Sequence, residues 1–109
     1  MNFSKEIFVF AGPNGSGKST VIRSFIDNQL CPLEYICPDD LVPKEKKEDL
    51  EEYRKAMIQA ETLRIQNLEA GESFTFETVL STEEKIDFLK DAKKRGFTIT
   101  TIYITTENP

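Results

Sequence analysis

Histidine is absent from the 109 residues, and the two cysteines, Cys31 and Cys37, are not spaced as C-x-x-C. Both absences speak against a zinc site of the usual ligand spacings. As free thiols the cysteines fit a reducing compartment. Cys37 reads as a small apolar residue at a strand end, since a nucleophilic role needs a partner base that the sequence does not offer. Positive charge is also short: 14 Lys and Arg against 19 Asp and Glu leave a net charge of −5. That balance gives no general attraction to nucleic acid or to an anionic membrane. The basic residues are scattered or mixed with acids, as from Lys44 to Asp49, which reads as a solvated loop or helix start. No stretch reaches the roughly 18 apolar residues of a membrane span, and no signal peptide precedes the first apolar run. The expectation is a cytoplasmic protein of one domain at most, without repeats or low-complexity segments.

What is present begins at the apolar run from Glu6 to Ala11, which feeds into Gly12, Pro13, Asn14, Gly15, Ser16, Gly17, Lys18 and Ser19. This is G-x-x-x-x-G-K-[ST] with a strand before it and a helix pattern after it, the context in which the motif is a phosphate-binding P-loop. Backbone N–H groups of such a loop wrap a phosphate chain, the lysine reaches the outer phosphates, and the serine hydroxyl can ligand magnesium. From Thr20 to Ile26 the chain continues as a helix whose positive dipole end faces the same anion. The implied cofactors are ATP and Mg2+, with Gly12 through Thr20 around the nucleotide and Ser19 on the metal. Without ligand, the Lys18 charge is expected to face solvent.

The remaining elements alternate. Leu33 to Cys37, between Pro32 and Pro38, reads as a second strand, and the chain leaves it through Asp39 to Pro43. A long helix starts near Asp49 and ends at Gly71, with Leu50, Tyr53, Met57, Ala60, Leu63 and Leu68 recurring on one face. Phe74 to Glu77 is a third strand. Ser81 to Glu84 is a capping box opening a helix that turns Ile86, Leu89 and Ala92 inward and stops at Gly96. Phe97 to Ile104 is a β-branched fourth strand. Strands separated by helices imply an α/β fold: three layers, a parallel sheet of about four strands with helices on both faces. The P-loop strand should be central.

Ligands of open parallel sheets sit beyond the C-terminal strand ends. Lys18 and Ser19 follow the first strand, Asp39 and Asp40 follow the second, and Glu77 with Thr78 ends the third. Phosphoryl transfer to a hydroxyl needs a clamp on the triphosphate, a metal, and a group that orients or deprotonates the acceptor. Lys18 supplies the clamp and Asp39 is the candidate for the acceptor hydroxyl. For Asp39 and Asp40 the competing role is helix capping or turn formation after Pro38. Glu77 is either a substrate or water ligand, or a cap or partner of a local lysine. Thr78 and Ser81 are further donor candidates, with capping favoured for Ser81.

Together, the Gly12–Thr20 loop, Pro38 with Asp39 and Asp40, and the segment from Ser73 to Ser81 resemble the zeta-toxin-like P-loop kinases. The resemblance implies a nucleoside-kinase-like P-loop NTPase fold with the third strand between the first and second and the fourth beyond the first. It also implies an ATP-dependent kinase acting on a small molecule with a free hydroxyl. In zeta toxins proper that molecule is UDP-N-acetylglucosamine, and an antitoxin protein holds the kinase inactive. Lys18 and Ser19 would then bind ATP–Mg2+, Asp39 would be the base, and Asp40, Glu77 and Thr78 would lie at the substrate. Cys37 departs from the family, where an asparagine is usual. Family members also continue past the fourth strand into a lid-like region bearing arginines. Residues 1–109 are therefore expected to be an incomplete domain whose own activity is open and whose fourth strand is an edge available to a second copy. The alternatives are a catalytically inactive nucleotide-binding fragment, and an ATPase of another P-loop class.

Overall fold

The computed structural model describes residues 3–13, 17–78 and 83–104. Asn14, Gly15 and Ser16 of the phosphate loop, Ser81 and Thr82 at the start of the expected capping box, and the terminal 105–109 lie outside the described residues.

The first strand, β1, runs Glu6–Ala11, and every residue from Val9 to Ala11 is buried. Its near-continuous apolar run is what a strand covered on both faces requires. β3, Phe74–Thr78, pairs with it in parallel, Ile7 opposite Phe74 and Ala11 opposite Thr78. β4, Thr98–Tyr103, pairs in parallel on the other side, Glu6 opposite Thr98 and Ala11 opposite Tyr103. β2 pairs in parallel with β3 through Tyr35–Ile36 alone. The order is β2-β3-β1-β4, with the loop-bearing strand inside, as the sequence leads one to expect. β2 is shorter than the run from Leu33 to Cys37. The carbonyl of Glu34 still accepts from the Thr75 amide (2.8 Å), but Cys37 already has left the ladder to open a helix.

The helices are α1 (Lys18–Asp27), the single turn α2 (Pro38–Leu41), α3 (Leu50–Ala70) and α4 (Glu83–Lys94). Strand parity divides the core into two layers. On one face Ile7, Val9, Phe74 and Phe76 meet Ala60 and Leu68 of α3 and Ala92 of α4. On the other, Phe10 and Cys31 meet Ile22 of α1, with Phe25 edge-on to Phe10 at 5.2 Å. Asp49 caps α3 by accepting from the amides of Glu51 and Glu52, and Gly71 ends it at φ 74°. Both ends fall where the sequence places them.

The buried stripe of α3 differs from the expected one. Ala56, Ala60 and Leu68 are buried and Leu63 packs on the core, whereas Leu50 (77% exposed), Tyr53 and Met57 are on the surface. Twenty-one residues span about 31 Å, against the roughly 17–20 Å of a five- or six-residue strand. The first turns of α3 therefore extend past the sheet, where they contact α2. Where α3 does lie on the sheet, alanines at 56 and 60 allow close approach, and Arg64 lies over the Phe76 ring at 5.2 Å. Ile86, expected inward, is likewise exposed on α4, while Leu89 and Ala92 pack as expected.

Candidate functional site

The turn from β1 into α1 needs a residue with no side chain at its last position. Gly17 has φ 86° and is the N-cap of α1. A left-handed backbone there suits glycine and strains other residues. A Cβ built on Gly17 would find no atom within 4 Å, so the left-handed backbone, and not crowding, is what calls for glycine there. Gly17 has no side chain to cap α1, and the first-turn N–H groups have no partner within the helix, an arrangement that suits an anion.

Lys18 departs from expectation. It is buried, 7% exposed, and its Nζ donates to the Gly12 carbonyl at 2.7 Å. The ammonium is satisfied by the Gly12 carbonyl instead of facing solvent. Ser19 and Thr20 follow on the exposed side of α1, and Pro13 is exposed at the start of the loop.

A cleft of about 240 Å³ lies between α1 and the C-terminal ends of β2 and β3. Ser19, Arg23 and Asp27 line its α1 side, while Tyr35, Cys37, Asp39, Asp40 and Glu77 line the sheet side. The structure thus brings together Ser19, Asp39, Asp40 and Glu77 from three parts of the sequence. Thr78 is not in that lining. It is buried at the end of β3, one residue out of phase with Glu77, and its carbonyl accepts from the Gly12 amide at 3.2 Å.

Within the cleft, Cys37 is the N-cap of α2, and Asp39 and Asp40 sit in its first turn without a side-chain cap bond to that end. Lys47 Nζ donates to the Asp39 carbonyl, and the Asp39 side chain, in the cleft lining, accepts from the Tyr53 hydroxyl. Glu77 has no ion pair among the described residues; its Oε1 accepts from Cys37 Sγ at 3.1 Å. Burial raises the Cys37 thiol to about 11, helped by the Glu77 carboxylate, so it is the protonated donor at neutral pH. Burial also pushes Tyr35 up, with Cys37, Glu77 and Asp40 acting in the same direction, and it stays a neutral hydroxyl. Tyr53 is raised by burial and by its hydrogen bond to Asp39.

Tyr35, Tyr53, Arg23 and the Cys37–Glu77 bond are the parts that sequence reasoning missed. Alternation along β2 signals that Tyr35 and Cys37 share a face, and pairing β2 with β3 then sets Cys37 beside Glu77. Tyr53, placed on the buried stripe of α3, instead reaches Asp39 from the overhanging turns.

No family model matches this sequence, and no curated protein does either. Among solved structures, the chain is similar to a protein from Chloroflexus aurantiacus described as a "putative kinase", at 13% identity with a TM-score of 0.68. The similarity takes in 94% of this chain and 59% of that one, so this chain spans less than two thirds of that protein. At such identity the likeness is one of fold: a parallel four-stranded sheet flanked by helices.

Proposed function

We propose that the protein binds ATP with Mg2+ at the β1–α1 loop and transfers the γ-phosphate to a hydroxyl of a small molecule held in the adjoining cleft. The observation that carries this reading is the convergence of Ser19, Asp39, Asp40 and Glu77 on one cleft at the C-terminal edge of a parallel sheet, next to a P-loop sequence. A helix N-terminus that Gly17 cannot cap with a side chain suits a phosphate group, and the exposed Ser19 suits a magnesium ligand.

Lys18 would exchange its Gly12 carbonyl for phosphate oxygens. Mg2+, when bound, would neutralise phosphate charge. Asp39, in the cleft lining and held by the Tyr53 hydroxyl, would orient the acceptor hydroxyl and take its proton. Glu77 would hold the acceptor from the neighbouring strand, with Tyr35 as a neutral donor. Asp40, in the same lining, would serve the acceptor as well. Thr78 would act through the strand end and the Gly12 amide it anchors. The zeta-toxin-like kinases, with a UDP-sugar acceptor and an antitoxin partner, are the finer form of this proposal. The resemblance of the Pro38–Asp40 and Ser73–Ser81 segments supports it.

The test is phosphoryl transfer from ATP to a panel of hydroxylated metabolites including UDP-N-acetylglucosamine. It is run on this chain and on a form extended at the C-terminus by the corresponding region of a longer kinase. Asp39→Asn should lower the rate by about 10²–10⁴, the usual contribution of general-base catalysis. Full activity in Asp39→Asn would remove Asp39 from the reaction. Nucleotide binding without transfer in either form would favour the nucleotide-binding module.

A further inference from the structure

We propose that Cys37, Asp39 and Glu77 together form a binding site for a thiophilic divalent cation of the zinc class. The ligand atoms of the three residues, one sulfur and two carboxylate oxygens, all lie within 4.8 Å of one another. The sulfur and Glu77 Oε1 are already 3.1 Å apart. Bond lengths of about 2.3 Å to sulfur and about 2.0–2.2 Å to oxygen put tetrahedral donors roughly 3.5 Å apart, so an ion among them would draw the wider-spaced donors in by about 1 Å, within reach of side-chain rotation.

The donors come from two places that the sheet holds in register. Cys37 and Asp39 flank the start of α2, and Glu77 belongs to β3, whose Phe76 is paired with Ile36 of β2. Cys37 is 5% exposed, so its sulfur is held at the base of the cleft and not on a mobile surface side chain. The cleft, lined by all three residues, supplies an approach path for the ion. The lack of histidine and of C-x-x-C spacing hid this set, because its third donor is 38 residues beyond the second in sequence.

The donor types choose the cation. Magnesium seeks oxygen ligands in octahedral geometry, whereas a thiolate favours softer ions such as Zn2+ and Co2+. On binding, a metal–sulfur bond forms and the thiol proton leaves to solvent. The site stands on the geometry of three donors and does not require the phosphotransfer reading. If both hold, the cation engages Asp39 and shuts the acceptor side of the cleft while leaving Lys18 and Ser19 free for nucleotide.

Cobalt(II) titration of the nucleotide-free 109-residue chain tests the site directly. Thiolate ligation gives a near-ultraviolet charge-transfer absorption, expected here to saturate at one cobalt per chain. It should persist in excess Mg2+, disappear when Zn2+ displaces cobalt, vanish in Cys37→Ser and survive in Cys31→Ser. Glu77→Gln should keep the absorption and move its midpoint to higher cobalt, with circular dichroism verifying that each variant is folded. No absorption, an absorption that survives Cys37→Ser, or one removed by Mg2+ would overturn the site. None of those results depends on whether the protein transfers phosphate.

Discussion

Lys18→Ala should destabilise the protein before any nucleotide is added. The Lys18 ammonium sits 2.7 Å from the carbonyl of Gly12, itself a buried residue, and the lysine is 7% exposed. Hydrogen bonds to charged groups contribute about 1.5–3 kcal/mol, and a buried acceptor left unpaired costs about 1–3 kcal/mol. The desolvation of the ammonium opposes this, so a net loss of about 2 kcal/mol is a reasonable centre. With an unfolding entropy of about 2.1 cal/mol/K per residue, the 109 residues give about 0.23 kcal/mol/K. A loss of about 2 kcal/mol then lowers Tm by about 9 °C. Lys18→Met keeps the stem and removes only the ammonium, so it should retain part of the packing and lose the same hydrogen bond. Thermal and urea unfolding of the three proteins without nucleotide read this directly. The same samples with ATP and Mg2+ at about a hundredfold over Kd should show about 2.7 kcal/mol of added stability in the wild type and little in either variant. An unfolding midpoint for Lys18→Ala equal to that of the wild type would refute the role given to the Gly12 bond. A full ATP-induced shift in Lys18→Met would refute the nucleotide role.

Two further outcomes follow from burial. Phe76→Ala should cost about 3–5 kcal/mol, because its fully buried ring also lies under Arg64. Leu50→Ser, at an exposed position, should stay within about 0.5 kcal/mol, and its denaturant midpoint separates the observed α3 face from the expected one, on which Leu50 would be buried. The Cys37 thiol, raised from an unfolded value of 9.0 to about 11, leaves stability unaffected below pH 9. Between pH 9 and 11 the unfolded chain releases this proton and the folded chain does not, so stability should fall with rising pH, by up to about 2.7 kcal/mol at 1.36 kcal/mol per unit. A pH series of urea unfolding in metal-free buffer, with Cys37→Ser as control, checks the sign; a flat profile or a rise across that interval contradicts it.

Much of this fold could be read from local patterns. The apolar run before Gly12, the Asp49 cap and the Gly71 terminus each depend on near neighbours, and each lies where short-range chemistry puts it. The strand order came from the family resemblance of the motifs, and the structure has that order. The α3 face and the state of Lys18 were not legible, because both depend on distances between elements. A three- to four-residue recurrence fits Leu50–Tyr53–Met57 as well as Ala56–Ala60–Leu63, and only the length of the sheet beneath decides between them. Similarly, the G-K-S pattern fixes where Lys18 stands and says nothing of where its ammonium rests when the loop is without phosphate.

The cleft depends on a register that no single segment encodes. Ile36 opposite Phe76 on β2 and β3 sets the next residues, Cys37 and Glu77, side by side on the α1 face. Because side chains alternate along a strand, a slip of one residue would exchange the faces of Glu77 and Thr78. Glu77 would then point into the layer holding Phe88 and Leu63, where an unpaired carboxylate is costly, and Thr78 would occupy the cleft. Register in turn is secured away from the cleft: Phe74 and Phe76 fill the α3–α4 layer, and Thr75 on the opposite face gives its hydroxyl to the Pro32 carbonyl at 2.8 Å. Core packing on one face of β3 and a single buried hydrogen bond on the other therefore determine which carboxylate meets Asp39, and with it the chemistry open to the cleft.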